Sequence, residues 1–107
     1  MATDWAADVK KYAPQADDAV IAAMASTYRL VLGKPDTAYV AFSDPSELET
    51  VKTNFLKKKL GLTNSDEELD AAIAKVGVTL KGVNKKSRLT VYYLLAEHFK
   101  KLDVFGG

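Results

Sequence analysis

The most constraining feature of this chain is a helical apolar period punctuated by glycine. Apolar residues return every three, four or seven positions through Val20, Met24 and Val31, then Leu48, Val51 and Phe55, then Leu69, Ile73, Val76 and Leu80. Gly33, Gly61 and Gly82 stand where these runs stop. A period near 3.6 puts such residues on one face of a helix, whereas a strand needs alternation. Glycine closes a helix readily because it enters the left-handed region without a steric penalty.

The helix starts carry their own chemistry. Thr3 is placed to cap a short helix from Asp4 to Lys11, which Pro14 ends, since the residue before a proline avoids helical geometry. A second, mostly buried helix is expected from about Asp17 to Leu32. Asp44-Pro45-Ser46-Glu47 reads as a start in which Asp44 accepts from free amides, Pro45 has no amide to leave unpaired and Glu47 reaches back to the cap. That helix runs to Leu60. Ser65 and Glu68 form a second capping pair ahead of the stripe from Leu69 to Leu80. The last helix begins near Asn84 or Ser87 and runs to about Lys101. Thr37 to Phe42 has apolar residues on both alternations, so it fits either an extended connector or one or two helical turns.

Short connections between helices favour antiparallel neighbours. The expected fold is therefore all-α: a compact single-domain bundle of about five helices over residues 1–107, with a short flexible tail at 103–107 and the last helix central. Its core is expected to hold Val20, Met24, Val31, Leu48, Val51, Phe55, Leu69, Ile73, Val76, Leu80, Tyr92, Leu95 and Phe99.

Composition narrows the chemistry. A chain of 107 residues with 27% charged and 48% hydrophobic residues has the usage of one globular domain. There is no cysteine, hence no disulfide, thiolate nucleophile or cysteine-based metal site. The start, MATDWAADVKKYA, has acids where a signal peptide carries bases, and no apolar run is long enough to span a bilayer. A soluble cytoplasmic protein is the expectation, with no membrane partner. The net charge of +1 argues against strong nonspecific attraction to nucleic acid. Residues 1–53 carry five basic and eight acidic side chains, and residues 54–107 carry ten and six. Packing of the two halves would neutralise much of that asymmetry.

Few side chains offer reactive chemistry. His98 is the only histidine. It lies at the border of the last helix's apolar face, with Glu97 about 100° away, so sequence neighbours do not face each other. Tyr92 and Tyr93 read as packing residues with a wet hydroxyl. Lys57, Lys58 and Lys59 would splay around a helix, close to the acids at Asp66, Glu67, Glu68 and Asp70. Those acids lack the spacing and the glycine of a calcium loop. Gly77 and Gly82 lack the following Lys-Ser and the preceding strand of a phosphate loop. Gly106-Gly107 reads as a frayed terminus.

One segment stands out. Lys81-Gly82-Val83-Asn84-Lys85-Lys86-Ser87-Arg88 has four cations and no acid, and its second half opens a helix. Free amides, a serine hydroxyl and flanking cations suit a phosphate, a nucleic-acid backbone or an acidic partner. Lys81, Lys85, Lys86, Ser87 and Arg88 are thus the candidate anion-binding residues. The competing expectation is that Asp17, Asp18, Asp36 or Asp44 pairs with them inside the fold.

At KYAPQAD (11–17), FLKKKLGL (55–62) and KSRLTVYYLLAEHF (86–99), the chain resembles a family of small bacterial proteins classed as a domain of unknown function. The resemblance runs from about Lys10 to Phe99. It implies a helical cytoplasmic protein and brings no activity, ligand or catalytic residue with it.

The functional expectation is a small non-catalytic helical interaction module, acting on a protein partner or on a second copy of itself. The alternative is weak binding of phosphate or a nucleic-acid backbone through 81–88. No catalytic residue, metal ligand or cofactor site is expected, because one histidine, no cysteine and no motif leave few groups to do chemistry.

Overall fold

The computed structural model describes residues 5–83 and 86–105. The protein is all-α. Its elements are α1 (Trp5–Tyr12), α2 (Asp18–Thr27), α3 (Arg29–Leu32), α4 (Pro35–Ala38), α5 (Pro45–Thr50), a π-helix (Val51–Lys59), α6 (Asp66–Thr79), α7 (Arg88–His98) and a 3-10 turn (Leu102–Phe105). The Thr3 cap and the start at Asn84 lie outside the described residues, as do Lys85 and the terminal glycine pair.

Local capping chemistry sets several boundaries. Asp17 accepts from the Ala19 amide at the start of α2, and Asp44 accepts from the Ser46 amide at the start of α5. Ser65 accepts from the Glu68 amide at the start of α6. Gly61 and Gly82 take positive φ, 67° and 88°, the conformation that glycine adopts without strain. Gly33 instead stays right-handed at φ −77°.

The core forms around α7, which packs against α1, α2, α4 and α6. Leu89, Val91, Leu95 and Ala96 have no exposed surface, and neither does Thr90. Of the expected core, Val31, Leu48 and Phe99 are only half-buried, and the others are buried. Gly77 sits in the last turn of α6, where a Cβ would lie 3.0 Å from the Phe42 ring.

Four segments revise or resolve the expectation. The helix expected over 17–32 breaks at Tyr28 (φ −105°, ψ 19°). The Thr27 hydroxyl bonds back to the Ala23 carbonyl at 2.9 Å, a contact that bends helices. The Tyr28 ring turns into an aromatic cluster, 4.9 Å from the Tyr92 ring centroid and 6.1 Å from that of Phe55. Thr37–Phe42 is both of its alternatives in turn. It ends the short helix α4, then Tyr39 forms an antiparallel bridge with Ser87 and Val40 donates to the Lys86 carbonyl. The expected flexible tail contains an ordered turn, and Phe105 is buried near Phe55 and Tyr28.

The helix expected from Asp44 to Leu60 changes winding after Thr50. The buried residues of the second part are Val51, Lys52, Phe55, Leu56 and Leu60. Wound as an α-helix, they would spread over about half the circumference. With i→i+5 bonding and about 4.4 residues per turn they gather into roughly a third of it. The Leu60 amide bonds the Phe55 carbonyl at 2.9 Å in that i→i+5 pattern. Burial of this stripe against α6 and the aromatic cluster offsets the poorer backbone geometry.

Candidate functional site: a cleft at Arg88

Ser87 caps α7 through the Thr90 amide, which places Arg88 at the first helical position. Tyr92 follows one turn later on the same face. The Arg88 guanidinium donates from one terminal nitrogen to the Tyr92 hydroxyl at 2.9 Å and from Nε to the Thr37 carbonyl at 2.5 Å. Its other terminal nitrogen bonds the Glu47 carboxylate in an ion pair. Glu47 comes from the first turn of α5, held there by the Asp44 cap. Both side chains are largely withdrawn from water: Arg88 is 9% exposed and Glu47 23%.

A cleft of about 320 Å³ opens over this pair. Tyr28 and Val31 wall it from one side, Thr50 and Asn54 from another, and Thr37, Glu47, Arg88 and Tyr92 complete the lining. Phe55 stacks on the Tyr92 ring at 4.0 Å and fixes its orientation. The site is thus assembled where α4, α5, the π-helix and α7 converge with the Tyr28 break.

The electrostatics follow from burial and pairing. Burial pushes the Tyr28 phenol well above its usual 10.0, and the neighbouring Tyr92 adds to that against an opposing effect of Arg88. Burial likewise raises Tyr92, again opposed by Arg88. Burial acts to lower Arg88, but its contacts with Tyr92 and Glu47 outweigh it and the guanidinium holds its proton more firmly. None of these groups is brought towards neutral pH.

The segment expected to bind anions is placed differently along its length. Lys81 is exposed beyond the end of α6. Lys85 lies outside the described residues. The Lys86 ammonium donates to the Val83 carbonyl at 2.8 Å and sits 5.7 Å from the Phe42 ring centroid. Ser87 is buried, its hydroxyl used as the cap. Arg88 points inward, and its partner is Glu47, not any of the four aspartates considered from sequence. A second internal carboxylate sits near the same helix start, where the Thr90 hydroxyl donates to Asp8. Negative charge is favourable there because of the helix dipole.

Other candidates resolve more simply. His98 is exposed, its ring 4.9 Å from that of Phe99, and it borders a groove of about 230 Å³ with Lys75, Leu94 and Glu97. Lys57 pairs with Asp66 at 2.7 Å, and Lys59 lies 5.3 Å from the Phe105 ring centroid. Among the described residues no group of three or more His, Cys, Asp or Glu could hold a metal ion. No helix among them is long and apolar enough to cross a membrane.

Sequence reasoning missed Glu47, Tyr28 and Asn54 as members of the site. Glu47 read as a capping residue and Tyr28 as mid-helix. The available signals were the i, i+4 pair Arg88–Tyr92 and the acidic first half facing a basic second half. The sequence model of a family described as a protein of unknown function, DUF2853, matches residues 4–103. No curated protein matches the chain.

Proposed function

The chain belongs to this family of unknown function, and since that description names no activity, we propose from the geometry that it is a small non-catalytic binding module whose working site is the Arg88 cleft. The observation that carries this reading is the convergence of pre-oriented polar groups on one concavity. Arg88, Glu47 and Tyr92 are locked by mutual hydrogen bonds, and apolar surface from Tyr28 and Val31 stands beside them. Pockets that hold small ligands have this mixture of apolar wall and a few fixed polar groups, and about 320 Å³ lies at the small end of their range.

Binding suits the site better than catalysis. General acid–base work needs a group that titrates near the working pH, and the shifts of Tyr28, Tyr92 and Arg88 all lead away from it. The alternative of anion binding at 81–88 retains Lys81 and Lys86, while Ser87 and Arg88 are committed inward.

An amide-resolved NMR titration with a set of small polar and aromatic fragments tests the proposal. Signals of Thr50, Asn54, Arg88 and Tyr92 are expected to move together and to saturate. Responses confined to other surfaces would sink it. The same spectra taken with pyrophosphate at low and moderate salt address the alternative, for which salt-sensitive shifts at Lys81 and Lys86 are the expected sign.

A further inference from the structure

The charges around the cleft cancel where a ligand would touch them. Glu47 and Arg88 lie side by side as one ion pair, each partly withdrawn from water. An incoming anion that approached Arg88 would meet the Glu47 carboxylate, and a cation that approached Glu47 would meet the guanidinium. A ligand that displaced either partner would leave the other as an uncompensated, partly buried charge, which costs more than the new contact returns.

Unused hydrogen-bonding capacity defines what remains. A guanidinium has five N–H donors, and the bonds to Thr37, Tyr92 and Glu47 use one on each nitrogen. One donor is left on each terminal nitrogen. One Glu47 oxygen takes the Arg88 bond, and the other has no hydrogen bond within the described residues. The pair therefore offers a donor beside an acceptor. The matching edge carries an acceptor beside a donor, and it must be flat for both bonds to form at once. An amide has that edge and is planar by resonance. Asn54, exposed at the rim, carries a donor and an acceptor of its own.

We propose that the Arg88 cleft takes a small, electrically neutral, planar molecule with an amide-type edge, held by Glu47 and Arg88 with its body against Tyr28 and Val31. This rests on the reading of the cleft as the working site. Lactams, carboxamides and amide-edged heteroaromatic rings are the members of this class that fit the volume.

Three near-isosteric probes separate charge from shape: benzamide, benzoate and benzamidine, titrated into the full chain under NMR. Benzamide should shift Thr50, Asn54 and Tyr92, with roughly tenfold higher affinity than either charged analogue. Cleft shifts led by benzoate or benzamidine would overturn the neutral class and leave the cleft as the site. No cleft shift with any of the three would overturn the proposal, and the fragment titration then decides whether the cleft itself fails.

Two variants sharpen the result. Glu47→Gln keeps an acceptor for Arg88 while removing the negative charge, so the preference should change from benzamide to benzoate. Retention of the benzamide preference in the folded variant would overturn the charge argument. Asn54→Ala changes an exposed side chain and leaves the fold alone. It should weaken benzamide about fivefold by removing a polar contact of about 1 kcal/mol, and unchanged affinity would overturn the placement of the ligand.

Discussion

Arg88 and Lys52 are both buried cations, and they are buried in opposite ways. Arg88 makes three directed hydrogen bonds, and its carboxylate partner is itself only 23% exposed. Lys52 has a 7% exposed side chain, but its ammonium meets Glu49 at 3.0 Å, Asp70 at 3.2 Å and Asp66 at 3.9 Å, all more than 60% exposed. The lysine, on the buried face of the π-helix, hides its stem and delivers its head to a wet acidic patch. The arginine carries its charge into the protein with a dedicated counter-charge. Solvent screens the first arrangement and not the second, so the two should respond differently to mutation, salt and pH.

The largest difference should come from removing one partner of the enclosed pair. Glu47→Ala leaves the Arg88 guanidinium held by Thr37 and Tyr92 with no negative charge beside it. A loss of about 3 kcal/mol is expected, a fall of Tm on the order of 10 °C by thermal unfolding. Replacing both partners, Glu47→Leu with Arg88→Met, should recover most of that loss, because apolar side chains of similar volume can substitute for a buried pair. A double variant as unstable as Glu47→Ala would mean that Arg88 matters for its bonds to Thr37 and Tyr92 and not for its charge.

Lys52→Met removes the other cation while keeping its apolar stem. The three carboxylates left behind are mostly in water, so their mutual repulsion is screened. The expected fall in Tm is less than about half that of Glu47→Ala, and about 0.5 M salt should shrink it further. The Glu47→Ala deficit should hardly change with salt. Equal salt sensitivity of the two variants would erase the contrast between enclosed and screened charge.

The same contrast explains what could be read from sequence. The caps at Asp44 and Ser65 and the left-handed Gly61 and Gly82 are legible because their partners lie within a few residues. The break at Tyr28 is not, because the rings that receive its side chain belong to Phe55, Tyr92 and Phe105. The π-winding is hidden for a related reason, since it is selected by which residues must be buried together and not by the propensity of VKTNFLKKK. Glu47 stands at the capping position but does not reach back to the cap: the Asp44 amide donates to the Ala41 carbonyl, and the Glu47 carboxylate goes to Arg88, 41 residues further along the chain. Arg88 read as an outward-facing cation because its own segment holds no acid. The charge asymmetry between the two halves was the one trace of that pairing.

The smallest effect separates charge from geometry at a single member of the Lys52 patch. Asp66 opens α6 and bonds Lys57 at 2.7 Å. That bond, with the nearby charges of Lys52 and Lys57, holds its carboxyl below 3.8, against a weak opposing effect of burial. In the unfolded chain the carboxyl binds its proton near 3.8, while the folded chain still keeps it ionised. The stabilisation is therefore present above that pH and is lost as pH falls through the lower folded value. Asp66→Asn should be less stable than the parent at neutral pH, and the two denaturation curves should converge in acid. The asparagine cannot titrate, so a gap that persists unchanged to acid pH would assign the effect to helix-start geometry and remove the charge of Asp66 from the account of this patch.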